Sequence, residues 1–215
     1  MRRTCILGFI LGTLALFTGC TSSQTMPSRI GECISIWQDV QASGKGPTSA
    51  EVNSCVGMAI VRSFEGGLVV GGSGGSGILV KRNGTDWSEP VAISVSSGSF
   101  GAQIGMQSIR AVMLFRHEDA FDKFINDGSY FDAGASGAAG TATGQTSAAG
   151  PAVQTFAVGS GLMGKATIGG LGVKVDAESN TAAYGEGVTV ADILAGKAKE
   201  PAGMQALLAA LKVQR

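Results

Sequence analysis

The chain has 215 residues, with 16 Lys and Arg against 16 Asp and Glu, one histidine, 34 glycines and 15% charged residues. Charge this sparse and balanced excludes charge-driven disorder and a nucleic-acid binder held by a basic excess. Glycine at roughly twice its usual ~7% share, without a three-residue period and with only 5 prolines, is not collagen, and one globular domain is the expected count.

The first twenty residues stand apart. Arg2 and Arg3 form a positive segment, residues 5–17 an apolar stretch too short for the ~20 residues of a membrane-spanning helix, and Phe17-Thr18-Gly19-Cys20 closes it with small residues before a cysteine. This looks like a bacterial lipoprotein signal. The resemblance implies that residues 1–19 are removed and that Cys20 carries a thioether diacylglycerol and an N-acyl chain, palmitate or a similar fatty acid. Residues 20–29 would then be an acylated polar tether. Each buried CH₂ contributes ~0.8 kcal/mol, so three chains anchor a protein that does not itself span the bilayer. Thr21, where inner-membrane retention is associated with Asp, points to the outer membrane of a bacterial envelope, facing the periplasm. Loss of Arg2 and Arg3 leaves 14 basic against 16 acidic side chains, a formal charge of −2. Lipid contact by the body of the protein therefore requires a local patch or apolar surface.

With Cys5 in the signal and Cys20 acylated, Cys33 and Cys55 remain. Export permits a disulfide between them, while two free buried thiols suit the residue type equally well; both alternatives stay open. Two thiols and the lone His117 do not make the four ligands of a zinc site, and no cofactor is expected.

The domain proper is expected over 30–215. Ile30, Ile34, Trp37 and Val40 recur at helical spacing and predict a one-sided helix ending near Ser43-Gly44. From Gly57 to Val175 the period is that of strands. Seven apolar runs (58–61, 68–70, 78–80, 91–95, 109–115, 153–158 and 168–175) are separated by Gly, Ser, Asn and Asp. Asn83-Gly84 suits a hairpin turn. One helix interrupts them over 118–126, with Phe121, Phe124 and Ile125 on one side and Gly128 beyond. Residues 133–152 are almost wholly small and uncharged: either a loop or a strand closely approached by another backbone or a ligand. Thr189 to Asp192 reads as a capping box opening a short helix. After Pro201, Met204, Leu207, Leu208 and Leu211 form an apolar stripe followed by Lys212 and Arg215.

Three motifs look catalytic. Gly72 to Gly77 satisfies G-x-G-x-x-G but leads into a second strand at 78–80, with no helix N-terminus to receive a pyrophosphate. Gly159 to Ala166 approximates a P-loop, yet Ala166 stands where a hydroxyl must reach magnesium. Gly71 to Gly75 spells a nucleophile elbow around Ser73, which needs a strand-to-helix turn and a histidine base; His117 instead begins the 118–126 helix. A hydrolase using Ser73 is the remote alternative, and no catalytic residue is assigned.

The strand segments resemble the SYLF domain family. The resemblance is carried by Ser97-Gly98-Ser99-Phe100-Gly101-Ala102-Gln103-Ile104-Gly105, by Asn180-Thr181-Ala182-Ala183-Tyr184-Gly185, and by Val188 to Leu194. Gly57 to Ile60, Gly66 to Gly77 and the small residues 134–140 fit it too, so it spans about 50–196. The family is described as lipid-binding: phosphoinositide and actin binders in eukaryotes, lipoproteins in bacteria. It implies phospholipid binding here without catalysis. The 30–43 helix is not the basic amphipathic segment of eukaryotic members, so the ligand class carries over and its identity does not. Arg62, Lys81 and Arg82, near Phe64 and Trp87, are the side chains suited to a headgroup above an apolar contact, against the plainer reading of solvated cations and a core tryptophan. The fold expected is α+β: a twisted, mostly antiparallel sheet of about seven strands, glycine-rich enough for a barrel-like curl, with flanking helices. The function expected is an anchored envelope lipoprotein whose domain binds phospholipid; the rival is a structural or partner-binding lipoprotein without a small ligand.

Overall fold

The computed structural model describes residues 24–127, 129–132, 146–147 and 150–212. The signal segment, Cys20 and Arg215 lie outside them.

Helix α1, Met26–Ala42, opens the fold. It starts inside the expected tether, with Thr25 as its extended N-cap and a proline in the first turn, where a missing N–H costs nothing. Met26, Ile30, Cys33, Trp37 and Val40 form its buried stripe, joined by Ile36. Ile34, predicted for that stripe, is only partly buried. Helix α2, Ser49–Ser54, was not read from the sequence although Thr48 and Glu51 form a full capping box.

The seven apolar runs fall within only three long strands. β1, Gly57–Asn83, absorbs three of them; β3, Val91–Phe115, and β7, Val153–Val175, absorb two each. The short strands are β2, Asp86–Trp87; β4, Ser129–Asp132; β5, Thr146–Ser147; and β6, Gly150–Pro151. The five-stranded sheet runs β2-β1-β3-β7-β4, every pair antiparallel, while β5 and β6 form a separate ribbon. The sheet is open, with β2 and β4 at its edges, so the barrel-like curl does not close. The hairpin expected at Asn83-Gly84 forms one residue further on: Asn83 pairs with Asp86, so the two loop residues are Gly84, in the left-handed conformation (φ +66°), and Thr85.

Glycine lets β1 double back. Thirteen residues of extended chain would separate Arg62 from Gly75 by about 43 Å, yet a Cβ on Gly75 would overlap the Arg62 carbonyl oxygen, and one on Gly77 that of Ile60. The Arg82 N–H donates to the Val56 carbonyl at 2.9 Å, bringing the two ends of β1 together. Met58, Ile60, Ile78, Val80, Ala92, Val112 and Leu114 consequently share one face, under α1 and α6 (Met204–Leu211). Ala59, Val61, Leu79, Val91, Ile93, Val95, Met113 and Phe115 share the other, against Phe121 and Phe124 of α3 (Glu118–Asn126) and Ile193 of α5 (Val190–Leu194). The period-2 alternation of strand side chains makes this partition.

The remaining helix, α4 (Ala177–Tyr184), carries the first part of the C-terminal signature and fastens β3. Asn180 grips Ala92 with both ends of its amide: Oδ1 accepts from the Ala92 N–H at 2.8 Å and Nδ2 donates to its carbonyl at 3.0 Å. The Tyr184 hydroxyl donates to the Pro90 carbonyl at 2.6 Å, and burial raises its pKa first of all, with the nearby Glu89 adding to the effect. Asp176 caps α4 by accepting from the Ser179 N–H at 3.0 Å and pairs at 2.6 Å with Arg29, which is only 2% exposed. The Arg29 guanidinium also donates to the Ile93 carbonyl at 2.9 Å and to the Ser179 hydroxyl at 3.1 Å. Burial alone would raise the Asp176 carboxyl; the Ser179 hydrogen bonds and the Arg29 charge outweigh it and hold the group below its ordinary value.

Candidate functional site

The five side chains expected to meet a headgroup do not form one patch. Lys81 and Arg82 are consecutive on a strand and point to opposite faces. Lys81 pairs with Glu118 at 2.8 Å and lies 5.7 Å from the Phe121 ring, on the α3 side. Arg82 donates to the Val52 and Cys55 carbonyls at 2.6 and 3.1 Å, satisfying the C-terminal end of α2, and stacks 4.1 Å over Trp87. Trp87 packs partly buried against the α1-side core, so this half of the patch is structural. Most of the apolar stripe of α6 is core as well: Met204, Leu207 and Leu211 are buried and packed with α1, and Leu208 is partly buried against the same core.

Arg62 and Phe64 are different. The Arg62 guanidinium lies 4.4 Å over the Phe64 ring, and Phe64 is a large hydrophobic side chain that is 52% exposed. Arg62 is the direct cross-strand partner of Arg110, and Phe64 of Ser108. Above them α1 presents Glu32, Ser35, Ile36 and Asp39, spaced by three, four and seven residues on one helical face. Arg62 donates to Glu32 at 2.7 Å, and Arg110 pairs with Asp39. Between helix and sheet lies a cavity of about 200 Å³ lined by Glu32, Ser35, Ile36, Asp39, Arg62, Ser108 and Arg110.

Gln24 also donates to Glu32, at 3.0 Å. Burial by itself would raise the Glu32 carboxyl, but the Arg62 and Gln24 hydrogen bonds and the neighbouring guanidiniums hold it below its ordinary value. Three donors in the cleft are buried without a partner: Nε of Arg62, Nε of Arg110 and the Ser108 hydroxyl. Sequence reading missed Glu32, Asp39, Ser108 and Arg110. Two signals could have found them: a polar stripe beside the apolar stripe of α1, and a charge inside the apolar run 109–115.

The cysteines take the second of their two alternatives. Both are free and buried: the Cys33 thiol donates to the Ile60 carbonyl at 3.5 Å and the Cys55 thiol to that of Val52 at 3.2 Å. Burial pushes Cys33 up to about 12. Gly71 to Gly75 runs inside β1 and Gly159 to Ala166 inside β7, so neither glycine motif precedes a helix. His117 is the exposed N-cap position of α3.

A family model described as Ysc84, Las17-binding protein actin regulator, matches residues 96–214. The chain is 28% identical to LAS seventeen-binding protein 3 of Saccharomyces cerevisiae over 166 residues, 73% of this chain and 36% of that protein. It is 29% identical to Protein YSC84 of the same yeast over 166 residues, 73% of this chain and 35% of that protein. To SH3 domain-containing YSC84-like protein 1 of Xenopus laevis it is 34% identical over 74 residues, 34% of this chain and 22% of that protein. The chain thus spans about a third or less of the length of these relatives. No solved structure matches it.

Proposed function

The chain belongs to the Ysc84 family of SYLF domains, and from that membership we propose that it is a lipid-anchored binding module, not an enzyme, whose folded domain meets phospholipid at the cleft between α1 and the sheet. The observation that carries this reading is Arg62 stacked on the exposed Phe64 at the cleft. A cation over an outward aromatic ring suits the membrane interface, where the ring enters the headgroup layer and the guanidinium meets phosphate. Acylation at Cys20 supplies the anchor and makes the protein an envelope lipoprotein, on the periplasmic side of the outer membrane. The non-catalytic part of the reading is supported by the continuous strand through Gly71 to Gly75, which is not the strand-to-helix turn an activated serine needs.

The family description and the name of one yeast relative favour a second reading, a protein partner in place of lipid, since both speak of binding to Las17. Vesicle flotation separates the two. Protein starting at Ser22 lacks the anchor and keeps every described residue. It is expected to float with phospholipid vesicles, and Phe64→Ser to reduce that. Failure to bind any phospholipid while circular dichroism reports a folded sheet would leave the partner-binding reading. For the anchor, Cys20→Ser is expected to move the protein out of the membrane fraction, and persistent acyl labelling of that variant would refute it.

A further inference from the structure

We propose that the cleft selects a zwitterionic phosphate–ammonium head, of the phosphoethanolamine kind, over a purely anionic one; this rests on the lipid-contact reading above and names the ligand class of the same site. The cleft holds two guanidiniums, Arg62 and Arg110, and two carboxylates, Glu32 and Asp39, facing one another across about 200 Å³. Its formal charge is therefore zero, and it offers a lone anion no net attraction. An anion that took both guanidiniums would strand both carboxylates, and stranding one partner of a part-buried ion pair is costly.

A head with both charges leaves no group stranded. Its ammonium takes the carboxylates as its phosphate takes the guanidiniums, so each intramolecular pair is exchanged for an intermolecular one. Exchange alone is neutral; the gain comes from donors that now have no partner. Nε of Arg62, Nε of Arg110 and the Ser108 hydroxyl are buried and unpartnered, and they come within reach of a phosphate's acceptor oxygens as the two guanidiniums turn from Glu32 and Asp39 toward it. All four charged side chains keep some exposure, between 24% and 45%, so the site is reachable from solvent. The volume falls below the ~300 Å³ lower range for whole drug-sized ligands, so it admits a small head only. The glycerol and acyl chains would stay outside, near Phe64.

The full chain in nonionic detergent is titrated by calorimetry with dihexanoyl-phosphatidylethanolamine, dihexanoyl-phosphatidylglycerol, free phosphoethanolamine and glycerol phosphate. The ethanolamine head is expected to bind roughly tenfold or more tighter than the glycerol head, the worth of one or two charge-assisted hydrogen bonds. Arg110→Gln should weaken ethanolamine binding, and Glu32→Gln, which gives the cleft a net positive charge, should shift preference toward phosphatidylglycerol. Both variants disrupt only part-exposed ion pairs, so folding is checked by circular dichroism and expected to hold. Free phosphoethanolamine binding as tightly as the lipid would keep the zwitterion site and identify a soluble source. Equal or tighter binding of the glycerol head to the unaltered protein overturns the selectivity while leaving lipid contact standing. No binding of either short-chain lipid overturns both.

Discussion

Replacing Arg29 with methionine tests the buried anchor between α1, β3 and α4. The guanidinium spans 147 residues of sequence to reach Asp176. Methionine keeps the side chain's length and apolar stem but removes the charge. Asp176 is then left with its remaining Ser179 hydrogen bonds, its side chain only 18% exposed, and the Ile93 carbonyl loses its side-chain donor. Removing one member of a buried pair costs ~3–5 kcal/mol; the residual exposure of Asp176 argues for the lower end, about 3 kcal/mol. With a urea slope of about 2 kcal/mol/M, the midpoint should fall by about 1.5 M. Fluorescence of Trp37, buried on α1 about 12 Å along the helix from Arg29, reports the transition. Asp176→Asn keeps an oxygen to cap α4 while removing the charge, so the double variant should cost at least about 1 kcal/mol less than the two singles added. Strict additivity, or a single-variant loss under about 1 kcal/mol, would refute the reasoning.

Gly77→Ala drives a Cβ into the Ile60 carbonyl and should cost ~1–3 kcal/mol as overpacking. Gly74→Ala, with open space around it, should be neutral or slightly stabilising, and equal melting temperatures for the pair would contradict the doubled-back β1. Cys33, pushed up to about 12, should resist iodoacetamide in the folded protein, and both thiols should label once it is unfolded without reductant; protection of both in the unfolded protein would mean a disulfide. Because Glu32 and Asp176 titrate below their ordinary values of 4.5 and 3.8 in the folded state, the unfolded state takes up protons first as pH falls. Their stabilisation is therefore complete above those ordinary values and is lost as pH drops through the lower folded ones. Thermal melts in that window should be less acid-sensitive in Glu32→Gln, and an unchanged pH profile would remove Glu32 from the account.

Local signals were legible in the sequence wherever one short segment decides the outcome. The α3 helix, the Thr189 capping box and the α6 stripe depend on side chains a few residues apart and form as the spacing predicts, and the hairpin at Gly84 forms with its loop one residue on from the expected pair. The family resemblance rested on such segments too, and part of its C-terminal signature proves to be a clamp: Asn180 and Tyr184 hold Ala92 and Pro90. Tertiary structure alone decided how the strands join and which charges meet. Glycines separate apolar runs in the sequence, which reads as turns, but an antiparallel ladder supplies the backbone partners that carry a strand straight through them. The chain bends where glycine permits, and that fold-back sets which residues share a face. Lys81 and Arg82, neighbours in sequence, part to opposite sides of the sheet, while Arg62 and Arg110, 48 positions apart, become direct partners beneath two acids of α1. Charge pairing acts through space, so the cleft those four residues build exists only once the ladder has set their register.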